Sequence, residues 1–151
     1  MRLLRVLVVV LTVSVSLLAA DSPFSGTWKF NPAKGHPLPP LPKNIVAHVE
    51  ADEQNLNFNE EFVDDKDQTS KLRYDAKFDG KDYSVTGDPD TDSVSLRRVN
   101  ERKIEFATKK AGKVTSKFDA TVSKDGKTTT VSGTDTSQGK PQKFDMVYDK
   151  Q

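Results

Sequence analysis

From Phe24 to Tyr148 apolar side chains recur at every second position, and few architectures tolerate that rhythm. Phe24, Trp28 and Phe30 share one parity, as do Ile45, Ala47 and Val49, then Leu56, Phe58 and Phe62, then Leu72, Tyr74, Ala76 and Phe78. The pattern continues through Tyr83 and Val85, Val94 and Leu96, Ile104 and Phe106, and Val114, Phe118, Ala120 and Val122. It ends with Thr129 and Val131 and with Phe144, Met146 and Tyr148. Most of the intervening residues are polar or charged, as expected of strands with one buried and one wet face. A period of 3.6 would carry many of those charges into the core, so no helix is predicted.

Turn residues separate the runs, including Asp79-Gly80 and Asp125-Gly126, whose preference for positive φ suits tight hairpins. Connections this short predict that each strand pairs with its neighbours in sequence. The expected fold is all-β, an antiparallel up-and-down meander of about 8–10 strands. With no helices to cover its apolar face, such a sheet buries that face best by closing, or nearly closing, into a barrel. An immunoglobulin-like sandwich fits less well, because the long crossovers it needs are missing.

The first twenty residues stand outside this pattern. Arg2 and Arg5 precede an apolar run from Val6 to Leu18, followed by Ala19-Ala20 and then Asp21. This reads as a secretory signal cleaved near Ala20, rather than a membrane anchor, since no basic stop-transfer cluster follows. The mature chain, residues 21–151, is then expected to be exported to the periplasm or the medium, with no membrane span. In those 131 residues Leu, Ile, Val and Phe number 25, about 19%, which borders on a disordered composition. Near-neutral charge and strict alternation argue for a fold instead. The mature chain has 21 basic and 22 acidic side chains, a balance that disfavours nucleic acid as a partner.

One connection breaks the rhythm. The segment 31–43 holds five prolines between Pro32 and Pro42 and predicts an extended loop across one end of the barrel, with Leu38 and Leu41 against the rim. Lys34, Pro37 and Pro40 also match a proline-rich pattern that aromatic grooves bind.

The opening Phe24-Ser25-Gly26-Thr27-Trp28-Lys29 resembles the Gly-x-Trp start of lipocalins and fatty-acid-binding proteins, together the calycins. The meander that follows resembles the fatty-acid-binding branch in length and order, and the chain is similar to small secreted lipocalin-like proteins of bacteria. The resemblance implies that Trp28 packs across the closed end of the barrel as a structural anchor. It also implies a ligand cavity. In that family a helix pair joins the first two strands, where this chain has its proline segment. The family's final strand carries an Arg-x-Tyr pair that grips a carboxylate; here Tyr148 matches the tyrosine and Met146 stands at the arginine position.

Parity offers other polar candidates. Glu60 shares the face of Phe58 and Phe62, and Arg98 that of Val94 and Leu96, so both are expected to point inward. A charge in an apolar barrel is costly unless it is paired, solvated or reserved for a ligand. Three readings stay open: a Glu60–Arg98 pair or wet polar patch, a register shift that exposes one of them, or an Arg98 that receives an acidic head group. Phe58, Phe62, Tyr74, Phe106, Phe118, Phe144 and Met146, with Tyr148, are expected either to line a cavity or to fill the barrel.

Catalytic and metal-binding patterns are sparse. The chain has no cysteine, and His36 and His48 lack partners spaced for zinc or for a serine triad. Asp88-Pro89-Asp90-Thr91-Asp92 starts like a calcium loop, but Ser93 and Val99 stand where glycine and glutamate are needed. The sequence therefore predicts a non-catalytic binding protein, without metal or cofactor, for a small hydrophobic or amphipathic, fatty-acid-like ligand. The competing expectation is a structural or interaction module with a filled core and a protein partner.

Overall fold

A computed structural model describes residues 21–151, so the signal reading lies outside the described residues. Within them the chain is all-β, with no helix. The strands are β1 Gly26–His36, β2 Asn44–Ala51, β3 Asn55–Val63, β4 Thr69–Lys77, β5 Asp79–Ser84, β6 Ser93–Asn100, β7 Lys103–Lys110, β8 Lys113–Val122, β9 Thr128–Asp135 and β10 Gln142–Lys150. They form one ten-stranded antiparallel sheet in the order β4-β3-β2-β1-β10-β9-β8-β7-β6-β5. Pairing of β1 with β10 brings the two ends of the meander together, so the sheet curls into a nearly closed barrel.

The seam lies between β4 and β5. The only ladder link there among the described residues is the Arg73–Thr86 bridge, with N–H···O=C bonds of 2.9 and 3.0 Å. Asp79-Gly80 was expected to make a tight hairpin, yet β4 and β5 diverge and Asp79 already pairs with Arg97 of β6. The seam stays narrow because Gly87 comes so close that a Cβ on it would lie 1.6 Å from the Lys71 carbonyl oxygen, at a φ of +87°. Asp125-Gly126 does form its turn, with the Gly126 N–H donating to the Ser123 carbonyl at 3.0 Å.

Burial follows the alternation. Ile45, Ala47 and Val49 are buried between exposed or half-buried neighbours, as are Tyr74 and Ala76, and Val94 and Leu96. Leu96, Ile104, Val94 and Val122 are the most completely enclosed side chains. Each contributes about 1.5–3 kcal/mol by leaving water.

The register shifts in four pairings, and two of these bulges change what was expected. Thr108 faces Ser116 while Lys109 faces Val114, so Thr115 is an extra residue on β8. A one-residue slip turns side chains to the opposite face, and Val114, expected inside, is 41% exposed. In β1 the register jumps from Phe30–Tyr148 to Gly35–Met146, so Asn31–Lys34 bulge out opposite Val147. Pro32 sits in that bulge, where its missing N–H costs the ladder nothing. The strand therefore runs through the first part of the expected 31–43 loop and reaches His36, leaving Pro37–Lys43 as the connection. Leu38 is half-buried there, while Leu41 faces solvent.

Candidate functional site

The interior divides along the barrel axis. At one end meet the N-terminal turn and the β2–β3, β4–β5, β6–β7 and β8–β9 turns; at the other end lie the β1–β2, β3–β4, β5–β6, β7–β8 and β9–β10 connections. Trp28 closes the first end. It is 4% exposed, its indole Nε1–H donates to the Phe24 carbonyl at 2.8 Å, and Lys150 Nζ lies 5.1 Å from its ring centre.

Above Trp28 the barrel holds a partly enclosed cavity of about 280 Å³. Its lining is mostly apolar, and two aromatic clusters shape it. On β3 and β4, Phe58 and Tyr74 stack at 4.9 Å, as their cross-strand register dictates. Phe106 of β7 stacks on Phe118 of β8 at 4.9 Å, and Phe144 of β10 tilts against Phe118 at 6.3 Å. Met146 and Tyr148 continue the β10 wall, and Tyr148 tilts against Phe30 at 5.8 Å.

Polar groups interrupt this lining at a few points. Glu60 is one of them, set between Ala47 on β2 and Leu72 on β4. Its side chain takes part in no hydrogen bond or ion pair among the described residues. Burial is the main cause that pushes its carboxyl up to about 7, and the neighbouring charge of Asp88 adds to it. Tyr74 and Tyr148 are likewise held neutral well above the ordinary tyrosine range, first by burial and then by the charge of Glu60. Thr129, cross-strand neighbour of Tyr148, has a hydroxyl with no partner.

The structure brings together most of the residues that parity singled out. Glu60, Phe58, Tyr74, Phe106, Phe118, Phe144, Met146 and Tyr148 all line the cavity. Phe62 does not; it is half-buried, opposite Ile45 and Ser70. Arg98 does not either. It lies toward the Trp28 end, where Nη2 donates to the Asp52 carbonyl at 2.5 Å and the guanidinium covers the Phe78 ring at 4.2 Å. No Glu60–Arg98 pair forms, because the two side chains sit at different heights along the axis. Asp88 and Thr91, from the aspartate-rich run that starts like a calcium loop, reach the lining from the β5–β6 connection. No parity applies in a connection, so nothing in the sequence marked them. Thr108 and Thr129 share the inward parity of their strands and were legible in principle.

Fold and site together define a ten-stranded, nearly closed antiparallel β-barrel with an internal, largely apolar cavity. Neither a scan against protein-family models nor a search of curated proteins finds a match to the chain. Among the described residues no helix is long and apolar enough to cross a membrane, and no group of His, Cys, Asp and Glu is arranged to hold a metal ion.

Proposed function

We propose that this chain is an exported, calycin-like binding protein that holds a small hydrophobic or amphipathic molecule without transforming it. The observation that carries this reading is the 280 Å³ cavity with aromatic walls and an unpartnered carboxyl. A dry cavity of about 150 Å³ accepts benzene, so this one suits a ligand of about a dozen non-hydrogen atoms. Burying about eight methylenes contributes roughly 6 kcal/mol, and a charge-assisted head-group bond adds about 1.5–3. That sum of about 7.5–9 kcal/mol corresponds to micromolar affinity before association costs, which weaken it further.

Native mass spectrometry of protein taken directly from cells, before and after delipidation, tests the reading. The expected result is an adduct on the order of 200 Da, lost on delipidation and regained on adding a ligand of that size. Trp28 is the only tryptophan and borders the cavity, so ligand entry is also expected to change its fluorescence. A clean apo mass with no uptake and no fluorescence change would favour an interaction module whose outer surface meets a protein.

Arg98 acts as a brace in this scheme. Arg98→Ala is expected to cost about 1–2 kcal/mol in urea unfolding, by removing the bond to Asp52 and the stack on Phe78, and to leave ligand uptake unchanged. Loss of uptake at unchanged stability would restore a head-group role for Arg98.

A further inference from the structure

A fatty-acid-like ligand accounts for the walls of the cavity but not for its charge. A carboxylate head entering here would meet Glu60 and, from the β5–β6 connection, Asp88. Among the described residues no lysine or arginine lines the cavity to receive it. The polar groups that are present ask for the opposite partner. Glu60 offers two acceptor oxygens that no donor among the described residues satisfies, and the hydroxyls of Tyr74 and Tyr148 each add an acceptor lone pair and a rotatable proton. A half-buried carboxylate set in an apolar wall without a partner is costly, and one ligand cation with N–H donors removes that cost.

We propose that Glu60, in the cavity wall it shares with Tyr74 and Tyr148, is a head-group site for a cationic amine carrying a compact apolar body. The proposal rests on the carrier reading above and names the ligand class of that same cavity. The ammonium donates to the Glu60 carboxylate and to a tyrosine oxygen, while the body lies between the Phe58–Tyr74 stack and the Phe106–Phe118–Phe144 cluster. An ammonium near aromatic faces gains further attraction.

Binding of this kind depends on pH in one direction. The titratable and charged groups facing Glu60 are Tyr74 from β4, Tyr148 from β10 and Asp88 from the β5–β6 connection; β2 presents Ala47. Both tyrosines stay neutral between pH 5 and 8. An alkylammonium stays charged across that range, as a lysine does. Glu60 changes state in the middle of it, so amine affinity is expected to fall as pH drops through about 7.

The test compares octylamine, 1-octanol and octanoate by calorimetry on the delipidated protein. At pH 8 octylamine is expected to bind about tenfold more tightly than octanol, and octanoate about tenfold more weakly. Lowering the pH to 5 removes the amine's advantage and leaves octanol binding unchanged. Glu60→Gln brings octylamine to the octanol level at pH 8, and retained octanol binding shows that this variant is folded. Octanol binding with no preference for the amine, or an amine preference that survives Glu60→Gln, would overturn the amine assignment and leave the carrier reading standing. Failure of all three compounds to bind would overturn both.

Discussion

Glu60→Gln is expected to stabilise the empty protein at pH 8 by up to about 3 kcal/mol and to leave its stability unchanged at pH 4. In the unfolded chain the carboxyl loses its proton near 4.5, whereas in the barrel it keeps it up to about 7. Between those values folding takes up a proton, so stability falls as pH rises, and above about 7 the whole penalty is present. Below 4.5 both states are protonated and no penalty exists. The 3 kcal/mol is a ceiling, because the cavity is wide enough for water to reach the carboxyl and because an amide there also lacks partners. Urea unfolding of both proteins at pH 4 and pH 8 measures the difference. An equal effect at both pH values, or a loss of stability at pH 8, would show that Glu60 is solvated or paired.

Trp28→Ala is expected to cost about 3–5 kcal/mol. The substitution empties the closed end of the barrel, leaves the Phe24 carbonyl without its donor and removes the ring beneath Lys150. Domains of this size are stable by about 5–15 kcal/mol, so the variant would fold marginally and bind ligand weakly. Trp28→Phe keeps most of the packing and loses the donor, for which a cost of about 1–3 kcal/mol is expected. Far-ultraviolet circular dichroism during urea unfolding follows both variants, since the only tryptophan is gone. A loss below about 1 kcal/mol for Trp28→Ala would mean that this end is closed by something else.

The strands were legible because alternation assigns each side chain to a face without reference to the rest of the fold. Phe58 and Tyr74, or Phe106 and Phe118, could be placed in the interior from their own strands alone. What alternation cannot carry is a count. The extra Thr115 turns Val114 outward with no residue type to announce it. Pro32, which looked like the start of a loop, is absorbed by a bulge instead. Alternation also assigns a face but no height: Arg98 and Glu60 share the inward direction, yet one braces the Trp28 end and the other stands in the cavity wall. Height depends on register across several strands, which is a property of the closed sheet. Asp88 and Thr91 were out of reach for a related reason, since a connection is positioned by the strands on either side of it.

Glu60 is an ionisable group set in an oily wall with no partner among the described residues. The most direct measurement is a carbon-13 NMR titration of the Glu60 side-chain carboxyl in the delipidated protein. A midpoint near 7, moving down when octylamine is added, is the expected result. A midpoint at the ordinary glutamate value, unmoved by the amine, would place that carboxyl in water and contradict the site.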